Sequence, residues 1–248
     1  MLAENLTSRG SATSADRKLL QEQIDEVTWV AALKPTNAGI PVYQDEVRSY
    51  LELAVLSVRL RGGCQLASNP AKVSPNVARL AELVHRAIPY PVLLVLDDGA
   101  RLYLSLVHIR WAQKETDKTV LDGELIQGVL LRKQQLTPTM STDTMSAFLA
   151  ALDLSLQPRS DLFNLYQGWI NAVLALQSAY VTGVFSVSDS REHAEARHQA
   201  LLELKRLHTE IGRLRSMASK EHQLAKRVEI NLEIKRIQGK LEVTLGQL

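Results

Sequence analysis

Glu52, Asp97, Asp98 and Glu124 are the acidic residues that stand near candidate strands. Two or three such carboxylates with a lysine could hold magnesium and activate water for phosphodiester cleavage. Each has a simpler reading. Asp97-Asp98-Gly99 is turn chemistry, Glu52 is not followed by an acidic-x-lysine strand motif, and Glu124 sits in a weakly patterned segment. His193 and His198 are five apart and miss the i, i+4 face of a helical zinc pair, while His85 and His108 stand alone. Cys64 follows Gly62-Gly63 with no histidine or basic cluster to activate a thiolate, and no glycine-lysine-serine/threonine follows the glycines. No catalytic residue, metal ligand or cofactor is therefore assigned, and a magnesium-dependent nuclease stands as the alternative reading.

Aromatic side chains raise a second chemistry, stacking on nucleic-acid bases. Tyr166 and Trp169 fall on an apolar helical stripe and read as core. Arg110-Trp111, at the end of a predicted hairpin strand, is the candidate exposed nucleic-acid contact.

These residues are positioned by two kinds of pattern. Thr13 and Ser14 offer N-caps and Asp16 suits a first turn, after which Leu20, Ile24, Val27 and Ala31 predict a helix to about residue 33. Residues 50–60, YLELAVLSVRL, are apolar on both parities and read as a central strand. Ser74-Pro75 opens a helix through Leu80, Leu83, Val84 and Ala87. Residues 92–96, the Asp98-Gly99 turn and the alternation of Leu102, Leu104 and Leu106 predict a β-hairpin; a polar stretch over 113–118, a short strand over 125–131 and the Pro138 region close the module.

Beyond it the period becomes helical. Met145, Phe148, Leu149 and Leu152 mark a short helix, and Leu162, Tyr166, Trp169, Val173, Leu176 and Tyr180 a longer one stopped near Gly183. Ala200, Leu204, Leu207, Ile211, Leu214 and Ala218 then step by four and three, a coiled-coil-like seam. The seam moves to Ile230, Ile234, Ile237 and Leu241. A stutter in one helix of about 90 Å, or a hairpin of about 45 Å turning near residues 216–219, would each produce the shift. With neither glycine nor proline at the break, the continuous helix is expected.

The chain has 248 residues, one cysteine and a net charge of +2. One cysteine excludes an internal disulfide and cysteine-based zinc modules. The +2 divides unevenly: residues 191–248 carry 12 Lys plus Arg against 8 Asp plus Glu, a net +4, leaving 17 against 19, a net −2, for residues 1–190. That excess is too small for a nucleic-acid footprint by itself. The first residues lack a signal peptide's apolar run and no later segment has the uninterrupted apolar length of a membrane helix, so a soluble, cytoplasmic protein without membrane contact is expected.

Four segments carry a resemblance: IDEVTWVAALKP, HRAIPYPVLLVL, LYQGWINAVLAL and, most specifically, KEHQLAKRVEINLEIKRIQGKL with Lys220, Glu221, Gln223, Arg227, Val228, Glu229, Asn231 and Glu233. Together they resemble a bacterial family of uncharacterised proteins, a domain of unknown function. The resemblance implies a context of helicase-type ATPases and DNA methyltransferases in restriction and anti-phage defence clusters. It implies no catalytic residues.

The expectation is an α+β fold: a small mixed sheet with flanking helices over residues 1–138, a helical packing region over 139–189 and a long coiled-coil-like helical arm over 190–248. The expected function is that of a non-catalytic adaptor in a DNA-targeting defence assembly. Leu204, Leu207, Ile211 and Leu214 are expected to form one partner-binding stripe, and Arg227, Val228 and Asn231 a second. The expected partner is a helicase-type ATPase or DNA methyltransferase. DNA contact would be largely indirect, and a homodimer or a homodimeric nucleic-acid-binding protein is a further alternative.

Overall fold

The computed structural model describes residues 13–62, 72–112, 118–131, 141–188 and 190–248. Gly63 and Cys64, the polar stretch 113–117 and the Pro138 region lie outside them. Helix α1, Ser14–Gln23, starts as its cap residues dictate. Thr13 Oγ1 accepts from the Asp16 amide and Asp16 Oδ2 accepts from the Thr13 amide, a reciprocal capping box. The helix ends at Gln23, and residues 24–33, expected to continue it, form strand β1, Ile24–Leu33. Ile24, Val27, Thr28, Trp29 and Val30 are β-branched or aromatic and fit a pleated strand better than a helix.

After a single helical turn, α2 (Pro35–Ala38), and a small ladder of β2 (Tyr43–Gln44) with β3 (Ser49–Tyr50), the chain enters β4, Leu53–Leu60. Helix α3, Pro75–Ala87, capped by Ser74 Oγ with Pro75 in its first turn, leads to β5, Val92–Asp97. Strands β6, Arg101–Trp111, and β7, Thr119–Leu131, complete a five-stranded mixed sheet of order β1-β4-β5-β6-β7. Strands β4 and β5 are parallel, which requires the crossover that α3 provides; the other pairs are antiparallel. The β5–β6 hairpin lies where Asp98-Gly99 predicts it. Gly99 has φ +84°, and Asp98 Oδ1 accepts from the Ala100 and Arg101 amides.

The sheet is covered on both faces, which explains why β4 and β5 are apolar on both parities. On one face α3 sets Val77, Leu80, Ala81 and Val84 against Leu56, Val58, Leu94 and Leu96. Arg79 forks onto Asp16, with both contacts at 2.8 Å, and so ties α1 to α3; the guanidinium holds that carboxyl well below the usual carboxylate range. On the other face lie α4, Thr142–Ala151, a 3₁₀ turn, Leu154–Leu156, and α5, Leu162–Thr182, which ends at Gly183 in the left-handed conformation. Helix α5 passes so close to β7 that a Cβ on Gly128 would stand 3.1 Å from both Val173 and Leu176.

The C-terminal region is two helices, α6 (Arg191–Lys220) and α7 (Leu224–Leu245). The expected continuous rod is thus corrected to a hairpin of about 45 Å. The backbone leaves the helical region at Glu221 (ψ 122°) and Gln223 (ψ 117°), and Glu221 Oε1 accepts from the Gln223 amide at 2.8 Å. A carboxylate and extended backbone make this turn without glycine or proline. Among the described residues, no helix is long and apolar enough to cross a membrane.

Candidate functional site

The hairpin places the two predicted stripes in opposite environments. Leu204, Leu207, Ile211 and Leu214 are buried; Leu207, Ile211 and Leu214 pack with Ile234 and Ile237, and Ile230 and Leu241 lie against that cluster. The first stripe is occupied by the chain's own α7, so a partner could reach it only by displacing that helix. Arg227, Val228 and Asn231 are exposed on α7. Val228 (49% exposed) is flanked one turn on either side by Leu224 (67%) and Leu232 (63%), with Val243 further along. Helix α7 therefore has two apolar faces, one against α6 and one outward. On α6, Arg191–Glu195, Arg206–Glu203 and Arg213–Glu210 form ion pairs, while Arg215 and Lys220 form none among the described residues. Arg227 and Lys235, beside the outer stripe of α7, form no ion pair among the described residues.

Arg110 and Trp111 sit at the end of β6. Trp111 is half-buried rather than exposed, its amide donating to Val47 O at 2.8 Å. Arg110 Nη1 donates to Trp111 O, and its Nε lies 3.5 Å from Asp122 Oδ1. The acidic candidates are not brought together. Glu52 pairs with Lys34 at 2.8 Å, Glu124 with Lys205 at 3.4 Å, and Asp98 serves its turn and accepts from Tyr103 Oη. No group of three or more metal-binding side chains occurs among the described residues.

A polar cluster that the sequence did not assemble surrounds His108. Strand β7 bulges between Asp122 and Ile126, so Val107 on β6 loses its partner there. Tyr166 Oη on α5 fills the gap, accepting from the Val107 amide at 3.0 Å and reaching Val92 O at 2.7 Å. The bulge brings Asp122 to Arg48, with Nη2 to Oδ2 at 2.6 Å. His108 lies between Tyr50 Oη, 2.5 Å from Nδ1, and Gln167 Oε1, 2.8 Å from Nε2. The amide oxygen can only accept, so Nε2 carries the proton and Tyr50 donates to Nδ1. Burial lowers the His108 pKa and raises that of Tyr50, keeping both neutral. Phe163 stacks on His108 with centroids 4.9 Å apart, and Tyr43 stacks on Phe163 at 4.8 Å. The signal for this cluster was the i, i+3, i+7 row Asn164, Gln167 and Asn171 on a helix whose other residues are mostly apolar.

A mixed sheet sandwiched by helices and extended by a helical hairpin defines the class as an α+β domain. Residues 3–241 match the domain of unknown function DUF4391, and the chain belongs to that family. No curated protein and no solved structure matches it.

Proposed function

We propose that this protein is a non-catalytic accessory subunit of a bacterial DNA-targeting defence assembly, docking a helicase-type ATPase or DNA methyltransferase through the outer face of α7. One observation supports the reading: Leu224, Val228 and Leu232 form an exposed apolar row on a helix whose opposite face is already buried. A helix apolar on two faces calls for two neighbours, and α6 supplies one. Arg227 and Glu229 border Val228 on opposite sides and Lys235 lies further along, so the row suits an amphipathic partner helix with flanks of both signs. Burying a row of this kind is the helix-in-groove mode of recognition.

The test is co-expression with a helicase-type ATPase and with a DNA methyltransferase of the same genome, followed by size-exclusion chromatography. The expected result is co-elution with one of them, lost in a Leu224→Ser, Val228→Ser, Leu232→Ser variant whose circular dichroism and melting temperature match the wild type. Absence of a complex, or one indifferent to the triple substitution, would refute the reading. So would magnesium-dependent DNA cleavage by the isolated chain that disappears in Asp98→Ala.

A further inference from the structure

The hairpin gathers its charge at one end. Residues 191–210 carry 4 Lys plus Arg against 4 Glu, and residues 229–248 carry 3 against 3. Residues 211–228, the distal ends of α6 and α7 with the turn between them, carry 5 against 1. The whole net +4 of the arm therefore stands at the tip.

Of these five cations, Arg213 is held by Glu210. Arg215, Lys220, Lys226 and Arg227 are exposed and form no ion pair among the described residues. At a helical rise of about 1.5 Å per residue, all four lie within about 8 Å of the turn along their helix axes. The one carboxylate among them, Glu221, accepts from the Gln223 amide as part of the turn. Lys226 and Arg227 also occupy the first turn of α7, which holds no acidic residue and where the helix dipole disfavours cations. Folding alone gains nothing from this crowding. Elsewhere on the two helices Arg191, Arg206 and Arg236 each pair with a glutamate three or four residues away. Like charges left together without counter-charge set up a field that attracts a polyanion.

The rest of the arm selects among polyanions. No aromatic residue follows Phe185, so it has no platform on which the bases of a single strand could stack. A helix lying on an anionic bilayer presents cations along its whole polar face, but beyond Arg227 the charges of α7 balance. A duplex backbone meets neither objection. It offers one negative charge per about 1.7 Å of axis, so a tip two helices wide reaches several phosphates at once. Exposed Ser216 and Gln223 stand among the cations, and hydroxyl and amide donors of this kind also reach phosphate oxygens.

We propose that the tip of the α6–α7 hairpin binds the phosphate backbone of a nucleic-acid duplex, with Arg215, Lys220, Lys226 and Arg227 as the contacts. Such contacts position a duplex without reading its bases, so binding is independent of sequence. The inference does not rest on the docking role of Leu224, Val228 and Leu232.

The experiment is fluorescence anisotropy of the full chain with labelled DNA duplexes of about 20 base pairs in two unrelated sequences, over about 0.05–0.2 M KCl. Both duplexes are expected to bind equally, with log affinity falling against log salt at a slope between about −3 and −4 for four phosphate contacts. Two variants of identical net charge locate the site. Lys220→Gln, Lys226→Gln is expected to weaken binding at least about tenfold at 0.1 M KCl and to flatten the slope by about 2. Arg236→Gln, Lys240→Gln takes the same charge from the middle of α7, beyond the screening length of about 10 Å from the tip, and is expected to change affinity less than about twofold. Phosphatidylcholine vesicles with about 30% phosphatidylserine serve as the competing polyanion. No binding of either duplex, whether or not the vesicles bind, would overturn the proposal. So would tighter binding of a single strand of equal length, or equal losses in the two variants. Both variants keep Leu224, Val228 and Leu232, so DNA binding and partner docking are read separately.

Discussion

The Tyr166 hydroxyl does work for three backbone groups, because it sits where the bulge leaves the sheet unpaired. It meets Val107 N, Val107 O and Val92 O inside a fully buried site. Tyr166→Phe keeps the ring and strands those groups, so a loss of about 1–3 kcal/mol is expected by chemical denaturation. His85 presents a second case. It is fully buried on α3 against Ser105 Oγ at 3.1 Å, and burial pushes its pKa down to about 4. An unfolded histidine titrates near 6.5, so between these values the unfolded chain binds a proton that the folded chain refuses. Stability therefore falls as pH drops from about 6.5 towards 4. His85→Gln keeps a polar partner for Ser105 without titrating, and its unfolding free energy should vary less steeply across that window; an unchanged slope would assign the effect to another group. Residues of this kind were only partly legible. Tyr166 was read as core from its helical stripe, but His108 looked isolated because its partners are 58 and 59 positions away.

At the scale of elements, sequence pattern succeeded where one face or both faces of an element are buried. Helix α5, the β5–β6 hairpin and β4 follow their apolar periods. It failed at β1, an edge strand whose burial shows no alternation, so that Leu20, Ile24, Val27 and Ala31 happened to match a helix. Strand β7 begins at Thr119, six residues before the apolar segment that announced it, because its first half is the polar arm leading into the bulge. The seam shift from Leu214 to Ile234 did encode the α6–α7 hairpin, but the turn lacked the residues that usually signal one. This outcome changes what a seam substitution tests. Leu207 is 1% exposed within the hairpin, so Leu207→Ala should cost about 2–5 kcal/mol of local stability. Hydrogen exchange should show it as faster opening in α6 and α7 with β4 and β5 unaffected. Loss of partner binding in that variant would report an opened hairpin rather than a missing contact.

For the whole molecule, the arrangement of cores predicts unequal stability. Two large clusters flank the sheet, and Leu201 on α6 packs against the second. Beyond that point the hairpin relies on the small cluster of Leu207, Ile211, Leu214, Ile234 and Ile237. Local opening free energy follows buried apolar contact, so the distal hairpin should open well below the global unfolding free energy. Native-state hydrogen exchange is expected to rank amides of β4, β5 and α5 as slowest, and those of α6 and α7 nearest the turn as fastest of the regular elements. Equal protection throughout would mean that the hairpin and the sheet unfold as one unit. The same measurement bears on docking. A partner helix on Leu224, Val228 and Leu232 would add apolar contact where the hairpin has least, so binding should slow exchange in both distal helices while leaving β4 and β5 unchanged. Protection confined to the sheet on adding the partner would place the contact elsewhere.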